Sequence, residues 1–162
     1  MTENPTAAWL ELFPPAANAP RALCTKVAKE GIAALPSSPH VAKTTTAPDD
    51  DYMEAFREEM KKHPGVAAES IEHYYQAQCL KDDTMAESIV DRLEQTKKDG
   101  RNPVVVLYCG HMHSDHRRGV VERIRQRAPS LRIVTLGVET VPEAENGTIA
   151  AAPTLANYVL LV

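Results

Sequence analysis

The clearest hydrophobic rhythm in the chain runs over residues 69–98, where Ile71, Tyr74, Gln78, Asp82, Met85, Ile89 and Leu93 recur at steps of three and four. Such spacing puts them on one face of a long helix, which Lys97-Lys98-Asp99-Gly100 closes with cations and a glycine. Before it, Leu23, Val27 and Ile32 follow Pro20-Arg21 at looser helical spacing, with Gly31 near the end. A shorter helix is expected over residues 52–62, opened by Asp49-Asp50-Asp51, whose carboxylates favour the positive end of the helix dipole, and stopped by His63-Pro64-Gly65. The stretch between these two, residues 36–51, is rich in turn formers and predicts an exposed, mobile connection.

Beyond Gly100 the rhythm changes. Residues 104–108, 131–136 and 158–162 read as strands, and residues 119–128 as a helix between the first two. The first strand is apolar at every position, which predicts cover on both faces. Strand, helix and strand in this order make a βαβ unit and hence an α/β three-layer sandwich with a mostly parallel sheet. Three strands are few for that architecture, so the sandwich is expected to be incomplete. The prolines at 5, 14, 15 and 20 leave residues 1–17 as an irregular N-terminal segment, ahead of one domain over residues 18–162.

Composition narrows the function less than the pattern narrows the fold. A chain of 162 residues, 43% apolar and 25% charged, is an ordinary globular composition. A net charge of −4 gives no global attraction to nucleic acid or anionic membrane. Arginines 117, 118, 123, 125, 127 and 132 form a basic series, but Glu122 interrupts it and no aromatic residues interleave, so a solvated helix face is expected. No apolar run is long enough to span a bilayer, and no secretory signal is visible at the start. Cys24, Cys79 and Cys109 show no paired spacing and read as free thiols, mostly buried, in a reducing compartment.

Candidate chemistry concentrates in G110-HMHSDHRRG-G119. Read as H-x-H-x-D-H, it spells the zinc signature of metallo-β-lactamase-type hydrolases through His111, His113, Asp115 and His116. That site needs later histidines, and none follows His116. A calcineurin-like phosphoesterase would need an earlier D-x-H that is absent, and Ser114, His113 and Asp115 cannot converge as a triad from neighbouring positions. A second parsing, G110-x-x-H113-x5-G119, suits the surroundings better. A strand delivers Gly110, whose missing side chain would permit a sharp exit. His113 then stands at the carboxyl edge of the sheet, where α/β proteins build sites, and the next helix aims its amino terminus at the same edge.

With this motif the chain resembles the ChaN-like haem-binding domain of the Tiki/TraB/erythromycin-esterase superfamily. N18-APRALCTKVAKEG-G31 is similar to that family's Asn-x-Pro-Arg turn and helix, and Y75-QAQCLKDDTMAESI-I89 to its A-Q-x-x-x-D-x-x-M-A helix. G110 to G119 matches its G-x-x-H-x5-G segment, and A156-NYVLLV-V162 resembles its closing Ala-Asp-Tyr strand, with Asn157 in place of Asp. The superfamily pairs two G-x-x-H motifs with an acidic residue, yet no Gly-Glu-x-His precedes residue 110. The resemblance therefore covers the carboxyl-terminal two-thirds of the domain and implies that opening strands are missing. His116 and Arg117-Arg118 stand where many relatives carry an aromatic and a glycine.

The resemblance implies binding of haem or a related tetrapyrrole and a part in iron uptake, without catalysis, across a homodimer contact if the site is shared. His113 is the implied haem or metal ligand, with a loop-fixing hydrogen bond as its other reading; Gly110 shapes its loop. Gln78 and Asp82, at i and i+4, either brace that loop through its backbone or reach the pocket, since an unpaired carboxylate on an apolar face is costly. Arg21 pairs with a haem propionate or with Asp82. Tyr74, Tyr75 and Tyr108 are phenolate ligands by residue type and core residues by pattern. The alternative is a remnant of a Tiki-type hydrolase using a divalent metal on His113, and a third reading is a non-functional fragment.

Overall fold

A computed structural model of the chain describes residues 17–63, 65–100, 102–140 and 154–161. Most of the irregular segment expected over residues 1–17 lies outside them, as does Val162. Among the described residues the elements are helices α1 (Arg21–Glu30), α2 (Asp51–Met60), α3 (Ile71–Lys98) and α4 (Gly119–Arg127), and strands β1 (Leu136–Glu139) and β2 (Tyr158–Leu161). The fold is mixed α/β, and β1 and β2 pair in parallel with Leu136 opposite Tyr158.

Helix α3 is the axis on which everything else is laid. Its amino-terminal half packs against α1 through Val27, Cys24, Ala77 and Leu80, and against α2 through Tyr52, Met53, Phe56, Tyr75 and Cys79. Its carboxyl-terminal half packs Met85, Ile89, Val90 and Leu93 against Val120, Val121 and Ile124 of α4. Helix α3 is therefore buried on more than one face, and Tyr75 rather than Tyr74 enters the core: Tyr75 is buried, whereas Tyr74 is partly exposed. A single-face reading fails here because the helix has neighbours on several sides.

Local chemistry sets the element ends. The Asp50 side chain accepts from the backbone N–H groups of Tyr52 and Met53 at 3.0 and 3.1 Å, the N-cap of α2. Gly31 ends α1 at φ +82°, and a Cβ there would lie 3.1 Å from His73 Nε2, so both conformation and space favour glycine. The connection over residues 36–51 is more fixed than its composition predicts. Ala42 N–H donates to Thr84 Oγ1 at 3.2 Å and Thr46 N–H to Asp83 Oδ2 at 3.0 Å, which pins the loop to α3.

Among the described residues the two-sided cover expected for residues 104–108 is not found. Val105 and Leu107 pack on the α3–α4 cluster, but Val104 is 88% and Tyr108 92% exposed. This segment is not hydrogen-bonded into the described sheet, which has two strands. The strand expected at 131–136 is displaced to Leu136–Glu139. Leu131 and Ile133 nevertheless join the same inner cluster, while Val134, Leu136 and Val138 face outward and are exposed. Among the described residues an apolar sequence on both faces thus meets helices on one face only. The sandwich is incomplete at this layer.

Candidate functional site

Residues 111–117 form two successive 3-10 turns between the extended segment and α4. The turns are held at both ends. His113 N–H donates to Gly110 O at 3.0 Å, and His116 N–H to Leu155 O at 2.9 Å, just before β2. The decisive fit lies at Gly119. Its φ is +52°, and a Cβ there would stand 2.5 Å from His113 O and 3.0 Å from the His113 carbonyl carbon. The five-residue spacing between His113 and Gly119 is thus the length of a loop that returns onto the histidine's own backbone, where only glycine fits. Gly110 is different: its φ of −65° is ordinary, and a Cβ would meet only His113 Cδ2 at 3.9 Å. No sharp exit is made there and glycine is not sterically required.

The same turns splay the three histidines apart. His111 Nδ1 lies 3.0 Å from Asp115 Oδ2, and His116 Nδ1 lies 3.0 Å from Thr154 Oγ1. His113 alone points inward, where its Nδ1 lies 2.6 Å from Asp82 Oδ1. The ring is 13% exposed and the Asp82 side chain is fully buried. Tyr52 donates its hydroxyl to the other carboxylate oxygen, Oδ2, at 2.8 Å. Gln78 Nε2 donates to the Tyr52 hydroxyl oxygen at 3.2 Å and lies 3.1 Å from His113 Nδ1. Burial, with the Asp82 charge next to it, pushes the Tyr52 hydroxyl well above its ordinary range, so it stays a proton donor.

Gln78 and Asp82 therefore come together with His113, but on its imidazole rather than on the loop backbone. With Tyr52 donating to one oxygen, the carboxylate is placed to take the Nδ1 proton on the other. A histidine so held keeps its lone pair on Nε2. Tyr52 had no motif to announce it. Asp83 was missed too, because it falls beside the apolar face that carries Asp82. Its side chain is as deeply buried and pairs with Arg123 Nε at 3.1 Å and with the Arg127 guanidinium at 2.7 Å. Arg123 and Arg127 thus do not belong to a solvated helix face. Arg123 also lies over the Tyr52 ring, 5.8 Å from its centroid.

Arg21 is exposed at the start of α1 and is not a partner of Asp82. It borders a cavity of about 620 Å³ between α1, α2 and α3, whose wall includes Phe56, Met60, His63, Tyr74 and Gln78. Gln78 is shared between this cavity and the His113 group. A second cleft of about 530 Å³ meets Arg21 from the other side, next to His40, Glu87 and Asp91, and its lining includes none of His113, Gln78 and Asp82. Tyr108 is exposed and Tyr75 is buried against Tyr52, leaving Tyr74 as the tyrosine of the three that borders the cavity. Among the described residues no group of three or more His, Cys, Asp or Glu side chains is placed to hold a metal ion. Cys24 and Cys79 are buried, Cys109 is exposed, and all three are free.

A family model described as "Haem-binding uptake, Tiki superfamily, ChaN" matches residues 11–124. The chain belongs to this family. For this ChaN-family chain the match starts ahead of Asn18 and ends inside α4, so it takes in the α3 carboxylates and the whole His113 loop, while β1 and β2 lie beyond it. No curated protein and no solved structure matches the chain. No helix among the described residues is long and apolar enough to cross a membrane.

Proposed function

We propose that the chain binds haem or a related tetrapyrrole in the service of iron uptake, with Nε2 of His113 as the iron ligand. The observation that carries this reading is the contact of 2.6 Å between His113 Nδ1 and the buried carboxylate of Asp82. A carboxylate on the far ring nitrogen fixes the tautomer and the orientation of the ring, as at histidine–metal centres generally. Haem iron takes a histidine ligand readily. Tyr52 holds the carboxylate, Gln78 holds the Tyr52 hydroxyl, and Gly119 keeps the loop close.

Arg21 stands on the rim of the adjoining cavity, where a guanidinium suits a propionate. Tyr74 is the phenol side chain that borders the same space. A divalent metal centre of the hydrolytic kind would need further ligands beside His113, and no described cluster supplies them. The haem reading is therefore preferred to the Tiki-type hydrolase.

The test is a haemin titration of the purified chain followed in the Soret band, beside His113→Ala and Tyr74→Phe. A saturable shift that His113→Ala weakens by about tenfold or more is the expected result. A saturable shift sensitive to Tyr74→Phe but not to His113→Ala moves the ligand into the cavity. The absence of a saturable shift from a folded chain overturns haem binding.

A further inference from the structure

The cavity of about 620 Å³ between α1, α2 and α3 carries charge of one sign. Arg21 enters its wall from the start of α1 and Lys81 from α3, and among the described residues no aspartate or glutamate lines it. The chain has 22 acidic side chains against 18 basic ones, so this distribution runs against its composition. Lys26, Lys61 and Lys62 each pair with a glutamate three or four residues away. Arg21 and Lys81 lack that option. Cys24 and Thr25 follow Arg21 at the helical spacings, and Ala77, Gln78, Thr84 and Met85 flank Lys81. Among the described residues neither cation has an ion-pair partner. Burial raises the Cys24 thiol and the Lys81 charge opposes that rise, so the ammonium bears on the first turn of α1, where Arg21 also stands.

We propose that Lys81 is a second anchoring cation of this cavity and that, with Arg21, it selects an apolar ligand bearing two carboxylates. The inference rests on the haem reading and adds to it a choice among tetrapyrroles: the free diacid is taken and its neutral diester is not. Phe56, Met60, Ala28 and Ala77 give the wall an apolar surface with few polar groups, the usual make-up of a small-molecule site. A guanidinium binds one carboxylate in bidentate fashion. Haem carries two, and the second, left against an apolar wall without a cation, would lose its hydration uncompensated. The Lys81 ammonium, a point charge on a flexible stem, supplies the missing partner. The other cleft that Arg21 meets has Glu87 and Asp91 on its wall and repels a dianion. Gln78, one turn before Lys81 on α3, borders the cavity and contacts His113, which ties the anchored ligand to the side of α3 that carries the histidine.

The test titrates haemin and haemin dimethyl ester into the full chain, wild type and Lys81→Gln, with far-UV circular dichroism of each protein. The wild type is expected to bind haemin at least tenfold more tightly than the ester, on the order of one charge-assisted hydrogen bond. Lys81→Gln should weaken haemin by about tenfold and leave the affinity for the ester unchanged. Should the variant lose its helical signal, the comparison of diacid with ester in the wild type decides. A wild type that binds both equally, a variant that binds haemin as the wild type does, or a variant that loses diacid and ester alike overturns the role of Lys81 and leaves haem binding standing. No saturable shift with haemin overturns both.

Discussion

Gly119 and the carbonyl of His113 lie so close that a Cβ on the glycine would fall 2.5 Å from the oxygen. The backbone of Gly119 is also left-handed, at φ +52°. Gly119→Ala therefore meets two penalties, a strained dihedral and a backbone clash, together worth about 3 kcal/mol. Gly110→Ala meets neither. Thermal or urea unfolding should show a marked loss for the first variant and little change for the second. Equal effects would contradict this account of the motif.

The same loop holds His116 at φ 56° and Arg117 at φ 60°, both left-handed without being glycine. Each such residue costs on the order of 1 kcal/mol. Arg117→Gly relieves one of them and loses part of the gain to the greater freedom of the unfolded chain. The expected outcome is a rise in stability of about 0.5 kcal/mol, read from the urea midpoint at unchanged slope. A lower midpoint would show that the arginine side chain contributes more than its dihedral costs.

What was legible in the sequence was what repeats or punctuates. The three-and-four rhythm, the Asp49–Asp51 cap and the terminal glycines located α1 to α4 to within a few residues. The G-x-x-H-x5-G spelling located the loop that carries His113. Periodicity does not report how many sides of a helix are covered, so it points to Tyr74 where Tyr75 is the buried residue and carries no sign of Asp83 beside Asp82. Nor does an apolar strand reveal whether both of its faces have neighbours, as residues 104–108 demonstrate. The partner of Asp82 was illegible for a plainer reason. Tyr52, Gln78 and His113 lie on three different elements, and only packing brings them together.

Asp82 is expected to tune the ligand rather than touch it. Asp82→Asn keeps the shape of the side chain and removes the charge that holds the Nδ1 proton. Outer-shell carboxylates of this kind are worth about 10–100-fold in metal affinity. In the haemin titration Asp82→Asn should weaken binding within that range, with the position of the Soret band kept because His113 remains. A variant that binds as tightly as the wild type would remove Asp82 from the site.

Asp83 is expected to matter for stability instead. Its carboxylate meets Arg123 Nε and the Arg127 guanidinium and accepts from Thr46 N–H, while Arg123 donates to Thr46 O at 3.0 Å. Asp83→Asn leaves two guanidinium groups facing an amide in a buried setting, a change that costs about 3–5 kcal/mol. Hydrogen exchange should report the loss first in the loop around residues 42–46, which this cluster clamps to α3 and α4. Protection of that loop at the wild-type level would disprove the clamp.

Stability should fall on the alkaline side, and Cys79 gives the sharpest handle on why. Burial pushes its thiol from an ordinary 9.0 up to about 12. Burial likewise raises the Tyr75 hydroxyl and, with Asp82 beside it, that of Tyr52. In each case the fold keeps a proton that the unfolded chain gives up. The stabilisation is complete below pH 9 and is lost as pH climbs, through the window from 9 to 12 for Cys79 and from 10 upward for the tyrosines. Each group contributes a slope of about 1.4 kcal/mol per pH unit within its window. Urea midpoints measured under reducing conditions between pH 8 and 11 should therefore descend, and Cys79→Ala, though less stable at every pH, should descend less steeply. An unchanged slope in that variant would show that the thiol ionises as readily in the fold as outside it.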